Sequence, residues 1–189
     1  MLRSDYRIVT ERLELRCFTV NDLADMMELR SNPDNNPFAP DDLWKSEQDA
    51  HDFFHFASLF YDDNPKRPHW FRYFFSIRER GGDKVIGYCG IGAPDFDRTL
   101  TEVFYGLVRS KWNRGYATES AKAMLDFGFN EIRLDRVIGF IHPGNIASRR
   151  VLEKAGLTEI GVLDNIAKDH DFFGNTLFEI TRQDYCAQR

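Results

Sequence analysis

The densest group of residues suited to chemistry runs Val108-Arg109-Ser110-Lys111-Trp112-Asn113-Arg114-Gly115-Tyr116-Ala117-Thr118-Glu119. The pattern before it predicts a strand and the pattern after it a helix, so a basic loop leads into a first helical turn. The leading N–H groups of a helix have no partner within the helix and lie at the positive end of its macrodipole. Small residues at Gly115 and Ala117 let an anion approach that backbone, and Arg109, Lys111 and Arg114 add positive charge. The chemistry implied is the binding of a phosphate or pyrophosphate. No Gly-Lys-Ser/Thr follows and no Gly-x-Gly-x-x-Gly is present, so neither a P-loop nor a dinucleotide fingerprint is indicated. An ordinary strand-to-helix turn accounts for the same residues without a ligand.

Glu102 stands among Leu100, Val103, Phe104 and Tyr105, where a carboxylate needs a reason. Partial burial would raise its pKa, whereas a solvent-facing strand position would leave it ordinary. Asn145 follows Pro143-Gly144 and suits a helix N-cap. His51 and His55 share a helical face at a spacing that metals use, but no Glu follows His51 and packing or surface roles explain them better. Cys89 has no histidine placed for it by sequence and reads as a buried structural thiol. Phe53, Phe54, Phe56 and Phe60 are too many for one helix face; core packing takes most of them, and a dimer contact or pocket wall the rest.

These residues must be held by elements around them. Alternation at Arg12-Leu13-Glu14-Leu15-Arg16 predicts a first strand. Thr19 or Asn21 can cap a helix through Leu23, Met26, Met27 and Leu29, which Asn32-Pro33 ends. A loop from Asn35 to Trp44 follows, and Ser46 with Asp49 resembles a capping box for the phenylalanine-rich helix, stopped by Asn64-Pro65. Strands near Trp70 to Ile77 and Lys84 to Ile91 meet at Gly81-Gly82-Asp83 as a hairpin, and Thr101 to Val108 forms a fourth strand. Next come a helix from Ala117 to Asn130, a strand from Leu134 to Ile141, and a helix from Ile146 to Ala155 with Gly156 as C-cap. Late strands fall near Thr158 to Val162 and Phe172 to Thr181. Hairpins mixed with helices predict an α+β fold on a mixed sheet, in one domain over residues 1–189.

Bulk properties narrow the function classes. A net charge of -5 argues against a general nucleic-acid coat, and 17 Phe with 42% hydrophobic residues argue against disorder. Cys17, Cys89 and Cys186 lie far apart and form no metal spacing, which suits reduced thiols in a cytoplasmic protein. The first residues, Met1-Leu2-Arg3-Ser4-Asp5-Tyr6-Arg7, contain no apolar targeting segment, and no run approaches the ~20 apolar residues of a membrane span.

Trp112-Asn113-Arg114-Gly115-Tyr116-Ala117 resembles the acetyl-CoA pyrophosphate loop of the GNAT superfamily of N-acetyltransferases, whose pattern is Arg/Gln-x-x-Gly-x-Gly/Ala. Trp112 departs from that consensus, but Trp followed by Gly-Tyr-Ala-Thr-Glu is typical of the branch that acetylates ribosomal-protein N-termini, the RimJ/RimL-like branch. Thr10-Glu11-Arg12-Leu13-Glu14-Leu15-Arg16 resembles that branch's opening strand, and Asn145 to Leu157 its last CoA-facing helix.

The resemblance implies a strongly twisted mixed sheet of about seven strands, splayed between the fourth and fifth and flanked by about four helices. Acetyl-CoA would lie in the split as co-substrate, with Arg109, Asn113, Arg114, Gly115, Tyr116, Ala117 and Thr118 at its pyrophosphate. Its pantetheine arm would pair with backbone near Leu107 and Val108, where a bulge beside Gly106 would free N–H groups as an oxyanion hole. Asn145 would cap its helix and touch the arm, and Ser148 would assist the thiolate, since the family's frequent tyrosine four residues on is Leu152 here. Glu102 would be the general base. The expected activity is direct acetyl transfer to a primary amine without metal, the acceptor being a peptide or protein N-terminus. The alternatives are a small amine such as a polyamine or aminoglycoside, or a non-catalytic acyl-CoA sensor. The acidic loop with Asp34, Asp41 and Asp42, Phe38 and Trp44 lies where the acceptor site of the family opens. A cytoplasmic monomer or homodimer is expected, with no nucleic-acid or membrane partner.

Overall fold

A computed structural model describes residues 2–62, 66 and 68–188; the helix stop expected at Asn64-Pro65 lies outside them. Among the described residues eight strands form one sheet: β1 (Arg7–Val9), β2 (Leu13–Arg16), β3 (Arg72–Glu79), β4 (Gly87–Gly92), β5 (Glu102–Leu107), β6 (Arg136–Ile141), β7 (Thr158–Val162) and β8 (Thr176–Thr181). Their order is β1-β2-β3-β4-β5-β6-β8-β7. Each neighbouring pair is antiparallel except β5 and β6, which run parallel. This is the α+β mixed sheet expected from the sequence, with β1 as an added edge strand.

Among the described residues five α-helices accompany it: α1 (Leu23–Ser31), α2 (Glu47–Ser58), α3 (Tyr116–Asp126), α4 (Ile146–Ala155) and α5 (Arg182–Ala187). Their starts follow local chemistry. Thr19 and Asp22 form a capping box ahead of α1, as do Ser46 and Asp49 for α2 and Thr181 and Asp184 for α5. Gly156 closes α4 at φ +102°, a left-handed turn that suits glycine. The helix expected through Asn130 stays regular only to Asp126 and then widens into a π-turn, Phe127–Ile132. The last strand is shorter than expected because Gly174, at φ +82°, turns the chain just before it.

The helices cover opposite faces of the sheet. On the first face Phe53 of α2 packs edge-on against Phe74 of β3 at 5.2 Å, and Arg30 of α1 donates to the Tyr88 hydroxyl of β4 at 2.8 Å. On the second, the chain at Gly128 presses on Ile91 and Val137, and Gly139 lies under Leu152 of α4. Phe75, Phe129 and Phe178 are fully buried between these layers, each contributing about 1.5–3 kcal/mol by burial alone. Side chains alternate between faces along a strand. Glu102, Phe104 and Gly106 of β5 therefore meet the α1–α2 side, and Val103, Tyr105 and Leu107 the α3–α4 side.

Candidate active site

The sheet opens where β5 meets β6. The two strands share one pairing, Glu102 with Ile138, and diverge beyond it. Backbone groups of an antiparallel strand alternate in direction. Val108 donates its N–H to Ile86 O at 3.0 Å, so the even positions of β5 face β4. Thr101 O accepts from Ile138 N at 2.8 Å, so the odd positions, including Tyr105 and Leu107, face the opening. The Leu107 carbonyl accepts the Trp112 indole N–H at 2.9 Å, and the Leu107 N–H points into the gap beside it.

Two sequence expectations are corrected here. The register between β4 and β5 is unbroken from Gly87↔Leu107 to Gly92↔Glu102, so no bulge interrupts β5 at Gly106. Plain divergence from β6 exposes the N–H instead. Val108 is also unavailable to a ligand through its amide, because its N–H is held by Ile86 and its carbonyl by the Lys111 N–H at 2.9 Å. Gly106 has a packing reason: a Cβ there would lie 2.5 Å from the Tyr88 ring.

From Leu107 the chain makes one 3₁₀ turn, Arg109–Lys111, and reaches α3 through Asn113 at φ +60° and Gly115 at φ +79°. These two left-handed residues turn the first amides of α3, at Tyr116, Ala117 and Thr118, outward, and Gly115 caps them with no side chain of its own. Arg114 is exposed beside them, and the Arg109 guanidinium stacks 5.5 Å from the Trp112 ring. Lys111 does not add free charge to this site, because Glu79 takes its ammonium at 2.5 Å. The Tyr116 hydroxyl donates to the same carboxylate at 2.7 Å, and these two partners hold Glu79 below the usual carboxylate range.

A second brace lies behind the loop. Glu119 accepts from the Thr10 hydroxyl at 2.6 Å, the Arg12 amide at 2.8 Å and the Arg12 guanidinium at 2.7 Å, while Arg12 also donates to Arg114 O at 2.9 Å. Burial would raise the pKa of Glu119, but the donors outweigh it and hold the group ionised. The opening motif and the loop motif are thus parts of one clamp.

Glu102 is 5% exposed, which excludes the solvent-facing alternative. Arg72 on β3 reaches it at 2.7 Å, crossing Gly92, which lies between them in the register Arg72↔Gly92↔Glu102. The Arg72 guanidinium also lies 4.4 Å from the Phe104 ring and donates to Ala93 O. Burial pushes the Glu102 carboxyl up to about 7, against the opposing pull of Arg72. Sequence reasoning missed Arg72; its signal was a lone cation inside the aromatic run Phe71-Arg72-Tyr73-Phe74-Phe75.

On the far side of the gap, Asn145 caps α4 by accepting the Ser148 amide at 3.0 Å. That leaves its amide nitrogen free to donate elsewhere. Ser148 is half-buried on the first turn. The Tyr105 hydroxyl, which the sequence did not single out, crosses from β5 to donate to Ser148 O at 3.2 Å. Leu152 is buried one turn further on and packs under Gly139.

The remaining candidates lie apart from this gap or at its margin. His51 and His55 are exposed on α2, and no cluster of His, Cys, Asp and Glu suited to a metal occurs among the described residues. Cys89 is fully buried on β4, and burial pushes its thiol pKa up. Phe53, Phe54, Phe56 and Phe60 pack on one another and on Phe18, Trp70 and Phe74. In the acidic loop, Asp42 lies 3.8 Å from Arg30, Asp34 is exposed, and Phe38 rests on His142 at 5.4 Å; the side chain of Asp41 lies outside the described part. Among the described residues no helix is long and apolar enough to cross a membrane.

The sheet thus splits along the free edge of β5, with the start of α3 at one end of the split and the buried Glu102 carboxyl where β5 and β6 part. The acetyltransferase (GNAT) domain family matches residues 12–158, and the chain belongs to that family of acetyl-CoA-dependent N-acetyltransferases. It is 31% identical over 153 residues to YkkB of Bacillus subtilis (strain 168), covering 80% of this chain and 84% of that protein. Among solved structures it resembles a GNAT-family acetyltransferase of Bacillus anthracis, with a TM-score of 0.74 at 24% identity over 94% of this chain and 99% of that one. It also shares its fold with RimL, a ribosomal L7/L12 α-N-protein acetyltransferase solved with coenzyme A: TM-score 0.72, 14% identity, 92% of this chain and 96% of that one.

Proposed function

We propose that this protein acetylates the free N-terminal α-amine of a peptide or protein by direct transfer from acetyl-CoA. The observation that carries the reading is Glu102, a carboxyl buried where β5 and β6 part, with its pKa raised to about 7. In this reading the pyrophosphate of acetyl-CoA meets the amides of Tyr116, Ala117 and Thr118, flanked by Arg109, Asn113, Arg114 and Gly115. The pantetheine arm adds to the open edge of β5 at Leu107, and the Asn145 amide steadies it from α4. The amine, approaching from the α1–α2 side, attacks the thioester carbonyl. The Leu107 N–H stabilises the oxyanion, Glu102 takes the proton lost by nitrogen, and the C–S bond breaks with its electron pair on sulfur beside Ser148.

Proton arithmetic favours an α-amine. At pH 7 roughly one α-amine in ten is already neutral, against roughly one lysine amine in two thousand. A single base with a pKa near 7 serves the first case; the second asks for about 3 kcal/mol more. The next carboxylate, Asp95, is paired with Arg98 at 2.9 Å and adds no second base. The deciding assay follows thiol release with short peptides, the same peptides blocked at the N-terminus, and spermidine or an aminoglycoside. Free peptides should react and blocked, lysine-containing ones should not. Full activity on blocked peptides, or on small amines alone, would overturn this acceptor and leave acetyl transfer standing.

A further inference from the structure

The family's usual proton donor to the leaving sulfur has no counterpart at Leu152, which is buried and apolar. Another hydroxyl nevertheless reaches the same turn of α4. Tyr105 stands on β5 two positions before Leu107, with its backbone groups directed into the gap. Its side chain lies on the α3–α4 face, and its hydroxyl donates to Ser148 O across the opening at 3.2 Å. That contact is long for an O–H···O bond, whose usual length is about 2.7–2.8 Å. Ser148 O is also where the helix expects its own N–H donor, that of Leu152. The Tyr105 hydroxyl thus shares its acceptor with a backbone donor, and rotation about its C–O bond can turn its proton to an acceptor beside it. A thioester whose carbonyl sat on the Leu107 N–H would bring its sulfur alongside this Tyr105–Ser148 bridge.

Resting on the acetyl-transfer reading above, we infer that Tyr105 is a catalytic residue whose hydroxyl hydrogen-bonds to the CoA thiolate as it leaves. The bonds balance without a proton leaving the tyrosine. The amine nitrogen forms the new C–N bond and gives one proton to Glu102; the C–S bond breaks and its pair stays on sulfur. The thiolate accepts a hydrogen bond from Tyr105 and collects a proton from solvent as CoA departs. Burial pushes the Tyr105 pKa upward, away from that of a thiol near 8.5, so the proton belongs to Tyr105 throughout and the group acts as a donor of a hydrogen bond, not as an acid.

The test uses Tyr105→Phe, which keeps the ring and removes only the hydroxyl. Two quantities are measured: steady-state kcat with a free peptide, and the ionisation of CoA in its binary complex, followed by thiolate ultraviolet absorbance against pH. The variant should lose about tenfold in kcat while its acetyl-CoA Kd stays within about twofold, because the charge on sulfur exists only after the bond begins to break. The thiol of bound CoA should ionise about one pH unit higher in the variant, the same tenfold expressed at equilibrium. An unchanged thiol ionisation with kcat within twofold overturns the proposal. So does a loss confined to acetyl-CoA affinity or melting temperature, which would make Tyr105 a brace between β5 and α4. Failure of the unaltered protein to bind CoA at all would instead remove the acetyl-transfer reading itself, so the two failures are told apart.

Discussion

Replacing Glu102 by Gln tests the base most directly, and its expected size follows from the structure. With a pKa of about 7, roughly half of Glu102 is ionised at pH 7 and roughly a tenth at pH 6. The pH profile of kcat should therefore climb about tenfold per unit below 7 and level off above it. The side-chain amide introduced by Glu102→Gln retains an oxygen for Arg72 but cannot take a proton. The variant should lose about 10²-fold in kcat/KM at pH 7, roughly 2.7 kcal/mol of transition-state stabilisation, and its acidic limb should vanish. The deficit should shrink above pH 8, where the α-amine deprotonates by itself. Stability provides a second readout with a defined sign. The folded pKa lies above the unfolded value of 4.5, so folding disfavours the ionised form. The contribution of Glu102 is at its best below pH 4.5 and falls by about 3 kcal/mol as pH rises to 7 and beyond. In the difference between wild type and Glu102→Gln, measured by urea unfolding, that slope should appear between pH 4.5 and 7. Arg72 becomes a buried cation without a counter-charge in the variant, at a cost of up to about 3–5 kcal/mol, so rates should be taken well below its melting temperature. A variant within twofold of wild type at pH 7, or a kcat profile with no limb near 7, refutes Glu102 as the base.

The phosphate loop and its brace give two further tests. Acetyl-CoA at about 100 times Kd should stabilise the fold by about 2.7 kcal/mol, and Gly115→Asp should abolish that melting shift by setting a carboxylate against the Tyr116–Thr118 amides. A Cβ at Gly115 would lie 3.2 Å from Arg12 Nη2, so the new carboxylate has a cation beside it and the fold should survive; a normal shift would displace the pyrophosphate from this loop. Glu119→Gln keeps the shape of the Thr10–Arg12 clamp but loses its charge, and should weaken acetyl-CoA binding several-fold by calorimetry with little change in melting temperature. Unchanged affinity would reduce the clamp to a structural tie.

What was legible in the sequence was what is decided locally. The boundaries of α4 follow from Asn145 and Gly156, and the structure ends it at those residues, with β7 at Thr158–Val162 as expected. The Ser46–Asp49 box likewise needs only residues three apart, and of the two caps offered ahead of α1 the structure uses Thr19. The short edge strand β1 and helix α5 were not legible, because three residues at one edge and six after β8 carry too little periodicity to stand out. The bulge was misplaced for a related reason. A glycine in a strand reports only that a side chain does not fit, and at Gly106 the obstacle is the Tyr88 ring rather than an irregular backbone. Among the described residues the sheet shifts register at its far edge, between Glu159 and Gly161 on β7.

The features that make the site work depend on pairs far apart in the chain, and this is why one member of each pair was readable and the other was not. Glu102 was conspicuous as a carboxylate in an apolar strand; Arg72, 30 positions earlier, gives it its character. Burial alone can lift a carboxyl by as much as about 5 units, to a pKa at which it would be almost wholly protonated and useless as a base near neutrality. An adjacent guanidinium alone can lower it by 1–3 units, leaving a carboxylate too weak to take a proton from an amine. Acting together through one contact at 2.7 Å, the two effects leave the group at about 7, where it is half ionised and can still accept a proton. The same logic joins Arg12 to Glu119 behind the phosphate loop. The pair fixes Arg114 O and the first turn of α3, so the amides there are held in place by the fold itself. The opening motif near Arg12 carries little information by itself because its work is done 107 positions away.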